Sequence, residues 1–255
     1  MDRPFEGKSA LITGATSGIG LATAVHLAAK GAHVALNHLP DTDPSVALER
    51  IREVEGSGFS VPCDVRNPAQ VVHMFEEVAD RSGKLDWVVS NAAINPPLRW
   101  HETTIEDFDR LSETIFRGTW IVATEGAKQM IKFGNGGAIV CISSISAHVG
   151  SPTQVAYCGA KGAVSMLAKA LGACLGEHGI RVNAVEPGLV RTPLAAELFT
   201  DLAGMKYYND RIALHRAAEP AEIARVIAFL LSEEAGYVTA SAMLVDGGFL
   251  ANAEL

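Results

Sequence analysis

A chain of 255 residues with a net charge of −8 and a pI near 5.5 offers no basic face for neutralising phosphates, which sets aside nucleic acid and anionic membrane surfaces as partners. An apolar share of 48% with 24 glycines excludes a disordered polymer and describes a packed core with many tight turns. The N-terminal run Met1 to Lys8 lacks the apolar segment of a signal peptide and no uninterrupted apolar run has spanning length, so the expected location is the cytoplasm.

Taken in chain order, the β-branched and apolar runs Ala10–Thr13, His33–Leu36, Phe59–Pro62, Trp87–Ser90, Ala138–Ile142, Val182–Val185 and Met243–Val245 are expected as strands. Helical periodicity occupies Ala22–Ala29, Ala69–Ala79, Phe108–Ile131 and Val164–Leu175. Strands joined through helices need crossovers. The predicted fold is therefore α/β: a single doubly wound Rossmann-type domain over residues 1–255, with a seven-stranded parallel sheet and helices on both faces. The least regular stretch, Pro187 to Ala218, follows the sixth strand and is read as a substrate lid at the carboxyl edge of the sheet. Thr103-Thr104-Ile105-Glu106-Asp107 has capping-box spacing, so its two acids are read as a helix start rather than a catalytic pair.

Directly after the first strand comes Thr13-Gly14-Ala15-Thr16-Ser17-Gly18-Ile19-Gly20, running into a helix. Gly14 permits a tight turn, Gly18 lets backbone approach a pyrophosphate and Gly20 lets the helix pack close, while the helix N-terminus offers free N–H donors. Such turns also occur without a ligand, so this one needs support from elsewhere. Tyr157 and Lys161 stand at i, i+4, on one helical face, where an ammonium would favour the phenolate and suit the tyrosine to proton transfer. An exposed pair of these types also arises by chance. Ser144 lies thirteen residues before Tyr157 at the end of the fifth strand; Ser143 and Ser146 are its rivals by residue type alone.

The T-G-x-x-x-G-I-G turn and the Y-x-x-x-K pair resemble those of the short-chain dehydrogenase/reductase family, and the likeness extends along nearly the whole chain. It implies an NAD(P)-dependent oxidoreductase acting on carbinol or carbonyl carbon. Ser144 would bind the substrate oxygen, Tyr157 would transfer its proton, and Lys161 would lower the tyrosine pKa and hold the nicotinamide ribose. Gly14, Ser17, Gly18, Ile19 and Gly20 would hold the pyrophosphate, Asp64 and Val65 the adenine, and Asn91 and Ala92 the adenosine ribose. Asn183 to Thr192 matches N-x-x-x-P-G-x-V-x-T, so Pro187, Gly188, Val190 and Thr192 would cradle the nicotinamide; Asp246-Gly247-Gly248 matches the family's terminal D-G-G.

The pattern breaks in two places. Ser90-Asn91-Ala92-Ala93 replaces N-N-A-G, and Ile115 stands where the family carries a fourth catalytic residue, an asparagine of the proton relay. For coenzyme choice, His38 occupies the place of the acid that would hold a ribose 2′-OH, with Leu39 and Ser17 where cations for a 2′-phosphate often lie; the reading is NAD or NADP, leaning to NAD. The chain looks most like the family's aldose dehydrogenases, with Ser144, Asn95, His148, Gln154, Glu186 and Arg191 as substrate candidates. The enzymatic alternative is a 3-oxoacyl-thioester reductase; the non-enzymatic one, motivated by Ile115, is a nicotinamide-binding regulatory protein with impaired catalysis. No metal is expected, because neither the eight histidines nor Cys63, Cys141, Cys158 and Cys174 have ligand spacing; the thiols are read as buried and free. A small molecule is the expected partner, and the resemblance implies a homodimer or homotetramer.

Overall fold

The computed structural model describes residues 3–252. Seven strands run β1 (Ser9–Ile12), β2 (His33–His38), β3 (Ser57–Pro62), β4 (Trp87–Ser90), β5 (Gly137–Ile142), β6 (Ile180–Pro187) and β7 (Ala242–Val245). The helices are α1 (Gly18–Ala29), α2 (Ser45–Glu53), α3 (Pro68–Ser82), α4 (Ile105–Ser112), α5 (Gly118–Phe133), α6 (Val155–Leu175), α7 (Ala196–Thr200), α8 (Leu202–Arg211) and α9 (Pro220–Leu231). All strand pairs are parallel, in the order β3-β2-β1-β4-β5-β6-β7. The strand order reverses direction between β1 and β4, which opens a crevice at their carboxyl ends.

Each central strand is buried on both faces, as a parallel sheet covered by helices requires. Alternate residues divide between two cores. Leu11, Val88, Ile139 and Val182 pack under α3, α5 and α6, whereas Ala10, Ile12, Val89, Val140 and Val185 pack under α1, α2 and α9. A smaller cluster of Ile145, Leu189, Ile212 and Phe249, with Leu198, Met205 and Tyr208 against it, anchors the segment after β6 to the rest of the fold.

The expected strands are all present: β4 has the expected bounds, β1 lies one residue earlier, and the other five are longer by one to four residues. Helices α2 and α9 were not among the expected helical segments, although α9 carries proline at its start and a reciprocal Glu219/Glu222 capping box. Phe108–Ile131 is not one continuous helix: a π-helical turn, Glu113–Arg117, separates α4 from α5. The helix here crosses very near β3's exit, since a Cβ added at Gly118 would meet Val65 Cγ2 at 3.1 Å. One extra residue per turn places Ile115, 1% exposed, in the core beside this crossing. Thr104 and Asp107 form the expected capping box at the start of α4. The stretch Pro187–Ala218 is not wholly irregular, because it contains α7 and α8.

Cys63 and Cys141 are buried free thiols that burial pushes up to about 12, and Cys158 is half-buried. Cys174 departs from expectation and is exposed. The stretch Val155–His178 is long and apolar enough by length and composition to cross a membrane, although Lys161 and Lys169 interrupt it; its Val164, Leu167 and Leu171 pack into the core under the sheet.

Candidate active site

The turn after β1 is shaped by close approaches that only glycine allows. Gly14 and Gly18 take φ of +61° and +54°, and a Cβ on Gly20 would lie 2.3 Å from the Gly14 carbonyl oxygen. The turn is clamped to the end of β4 across the switch point. Thr13 Oγ1 accepts from the backbone N–H groups of Asn91 (2.9 Å) and Ala92 (3.1 Å), and Asn91 Nδ2 donates to the carbonyls of Thr13 (2.9 Å) and Gly14 (3.2 Å). Asn91 borders the cavity, but its amide is engaged in holding the turn. Asn37, buried in β2 and unnoticed in the sequence, ties the same turn to β3: its amide nitrogen donates to the carbonyls of Val61 and Cys63, and its oxygen faces Gly14 N.

A cavity of about 500 Å³ opens beside this turn, bordered by Ser17, Ile19, His38, Asp64, Val65 and Ala92. Ser17 is the N-cap of α1, yet its hydroxyl makes no capping bond. Asp64 holds Arg66 through contacts of 2.6–3.0 Å, and that guanidinium keeps its carboxyl below the usual range. His38 Nδ1 lies 2.8 Å from the Leu39 carbonyl, an oxygen that can only accept, so the proton sits on Nδ1. Its other nitrogen, Nε2, is buried without a partner, and in the neutral ring it is an acceptor. A glycine cradle and an unpaired acceptor beside a cavity of this size fit a dinucleotide.

A second cavity, about 600 Å³, adjoins the first and shares Ile19, Asn91 and Thr192 with it. Ser144, Tyr157 and Lys161 meet there, opposite Pro187, Gly188 and Val190. Gly188 is pressed against Asp246, whose Cα lies 2.8 Å from a Cβ built at that glycine, so the D-G-G segment shapes this wall. Ser144 and Ser143 both border this cavity; Ser144 Oγ accepts from Ser146 N at 3.1 Å, whereas Ser143 Oγ lies 2.7 Å from both the Lys161 carbonyl and Ser165 Oγ. Ser146 borders the cavity too.

The electrostatics differ from the sequence expectation. Burial pushes Tyr157 up to about 12, with a hydrogen bond to Ser144 opposing the rise. Burial also lowers Lys161 to about 8, and its Nζ donates to the Ile142 carbonyl at 2.7 Å rather than to the phenol. Nζ lies 5.5 Å from the Tyr157 ring centroid and makes no hydrogen bond to the phenol. Ile115 is buried in the core cluster that holds Leu111 and Val65, while the neighbouring Thr114 borders the first cavity and donates its hydroxyl to the Arg110 carbonyl at 2.7 Å.

Of the substrate candidates, Asn95 and Gln154 border the second cavity, and Asn95 Oδ1 is buried without a partner. His148, Glu186 and Arg191 do not border it. Glu186 is 1% exposed and turned beneath the loop, where it engages His148 and Ser165 (2.7 and 2.6 Å). Arg191 turns outward to Glu219 at 3.3 Å and over the Phe199 ring. The sequence reading missed Ser151, Thr153, Glu197, Asp201 and Tyr208, which reach this cavity from the loop before α6 and from α7 and α8. Lys161 is the one cationic side chain among its described lining residues.

The family profile described as enoyl-(acyl carrier protein) reductase matches residues 14–250. The chain is 36% identical to L-rhamnose 1-dehydrogenase (NAD(P)(+)) of Sphingomonas sp. (strain SKA58), over 97% of this chain and 98% of that protein. It is 33% identical to the cyclopentanol dehydrogenase of Comamonas testosteroni, over 96% and 98% of the two chains. The solved structure of a short-chain type dehydrogenase/reductase from Mycobacterium marinum superposes with a TM-score of 0.91 at 35% identity, covering 97% of this chain and 96% of the other.

Proposed function

The chain belongs to the short-chain dehydrogenase/reductase family and is an NAD(P)-dependent oxidoreductase of CH–OH groups; from that premise we propose that its substrate is a neutral polyhydroxy compound, an aldose, or a cyclic secondary alcohol. The observation that carries this reading is the lining of the second cavity: hydroxyl and amide groups with two carboxylates, Glu197 and Asp201, and no cation except Lys161. A sugar acid or an acyl thioester with its phosphate groups would meet those carboxylates unfavourably, while sugar hydroxyls would find acceptors in Asn95, Gln154 and Glu197. The L-rhamnose and cyclopentanol dehydrogenases among its relatives support the same class.

Gly14, Ser17, Gly18, Ile19 and Gly20 would hold the coenzyme pyrophosphate, His38, Asp64, Val65, Asn91 and Ala92 would border its adenosine, and Pro187, Gly188, Val190 and Thr192 its nicotinamide. The coenzyme, when bound, supplies the acceptor or donor of the hydride. Ser144 orients the substrate oxygen, and Tyr157 takes or gives its proton. Lys161, held by the Ile142 carbonyl, adds positive charge beneath the tyrosine when protonated. Residues 187–218 act as the lid. Preference leans to NAD with dual use, because His38 presents an acceptor suited to a ribose 2′-OH, and the two arginines bordering the cavity, Arg66 and Arg110, are held by Asp64 and Asp107. Exposed Phe116, Trp120 and Met166 on and around α5 and α6 are the surface through which copies would associate, and light scattering would read a dimer or tetramer.

The test is a panel of L-rhamnose, cyclopentanol, D-gluconate and an acetoacetyl thioester with each coenzyme, read by nicotinamide absorbance. Turnover confined to the neutral alcohols is expected. Preference for gluconate or the thioester would overturn the substrate class, and failure on all four would favour a regulatory protein.

A further inference from the structure

One buried carboxylate brackets the loop that carries Ser144. Glu186 stands at the carboxyl end of β6, 1% exposed, and no arginine or lysine pairs with it among the described residues. Its Oε2 meets His148 Nε2 at 2.7 Å, and its Oε1 accepts from Ser165 Oγ at 2.6 Å. Ser165 Oγ in turn lies 2.7 Å from Ser143 Oγ; with the Ser165 proton given to Glu186, the Ser143 hydroxyl is the donor of that contact, the Lys161 carbonyl at 2.7 Å being the other acceptor within its reach. Ser143 and His148 are the two ends of the segment containing Ser144 and the 3-10 turn Ile145–Ala147. The carboxylate thus grips that segment at both ends, directly at His148 and through Ser165 at Ser143.

Glu186 also sits where three elements meet. It directly precedes Pro187 and Gly188 in the second cavity's wall, while its partner Ser165 follows Lys161 by one helical turn on α6. Burying a carboxylate is costly unless hydrogen bonds compensate it, and an apolar side chain would fill this depth without that cost. Neither Glu186 nor His148 borders the cavities, so substrate contact does not account for the pair.

We propose that Glu186 is a positioning residue, with His148 as its solvent-facing partner, that fixes Ser144 relative to Tyr157 and Lys161. This rests on the reading of those three as the reacting site. The bracket acts on geometry: the serine must hold the substrate oxygen within reach of the tyrosine, and a displacement near 1 Å at such a site can cost about a hundredfold in rate.

The test compares Glu186→Ala, Glu186→Gln and His148→Ala with the unaltered protein. Amide hydrogen exchange over residues 143–149 is followed without substrate, alongside kcat and KM on the best substrate of the panel. Glu186→Ala is expected to speed exchange in that segment and lower kcat at least about tenfold, with coenzyme KM within about twofold. Glu186→Gln keeps an acceptor for Ser165 and a partner for His148, and is expected to restore most of the rate. His148→Ala releases one end only, giving a smaller effect of the same kind; its side chain is 43% exposed, so it keeps the test open if Glu186→Ala does not fold. Unchanged exchange over 143–149 in His148→Ala with unchanged kcat would overturn the proposal, as would a glutamine variant no better than alanine. If the unaltered protein turned over nothing, the reading of the reacting site would fail, and the exchange data would still decide whether the bracket exists.

Discussion

The two halves of the crevice are built by different means. On the coenzyme side the wall is largely main chain: glycines at positive φ, a turn clamped by Thr13, Asn37 and Asn91, and a helix N-terminus. On the substrate side the wall is side chains brought from far apart in sequence, with Asn95 and Gln154 on loops, Glu197 on α7, Tyr208 on α8 and Asp201 between those helices. A backbone wall recognises what all users of one coenzyme share, whereas a side-chain wall on a separately anchored segment can change without disturbing it. Ser144, just beyond β5, and Tyr157 and Lys161, on α6, stand at the seam.

The comparison can be broken at the seam first. Tyr157→Phe removes the transferable proton and is expected to lower kcat by about a thousandfold or more while leaving coenzyme affinity within about twofold, read by NADH fluorescence titration. Lys161 gives a pH signature. Its ordinary value of 10.5 falls to about 8 in the folded protein, so between these values the unfolded chain binds a proton that the folded chain does not. Stability from this residue therefore rises as pH climbs from about 8 toward 10, by an upper bound of about 3 kcal/mol. The unfolding midpoint should show that rise, and Lys161→Met should flatten it.

Next come the walls themselves. Gly20→Ala sets a methyl against the Gly14 carbonyl, and is expected to cost roughly 1–3 kcal/mol of stability and to raise coenzyme KM more than substrate KM. Asn95→Ala removes a buried, unpartnered acceptor from the other wall, and is expected to raise substrate KM by about fivefold with coenzyme KM unchanged. Equal effects of both changes on both constants would dissolve the division between main-chain and side-chain walls.

The same division explains what could be read in the sequence. The sheet, the glycine turn and the serine, tyrosine and lysine rest on short-range rules: alternation of apolar runs with helical periodicity, turn conformations closed to other residues, and the i, i+4 spacing along α6. His148, Glu186 and Arg191 looked like pocket residues because they lie close in sequence to Ser144 and Pro187. The direction of each side chain is set by packing: Glu186 turns toward Ser165 on α6, and Arg191 swings out to Glu219. Glu197 and Asp201 carry no local signal, since only the anchoring of α7 and α8 through Leu198, Met205 and Tyr208 brings them over the cavity. The π-helical turn likewise escaped notice, because one added residue hardly changes the apolar periodicity across Glu113–Arg117.

On the proposed chemistry a hydride passes directly between a carbinol carbon and nicotinamide, while Tyr157 takes or gives the hydroxyl proton with Ser144 and Lys161 beside it. The most direct measurement supplies cyclopentanol or L-rhamnose, deuterated at the reacting carbon, with NAD and weighs the reduced coenzyme by mass spectrometry. Reduced coenzyme carrying the deuterium with the unaltered protein, and almost none formed by a Tyr157→Phe variant that still binds NADH, is the expected result. Oxidised product with unlabelled coenzyme, or undiminished turnover in Tyr157→Phe, would contradict it.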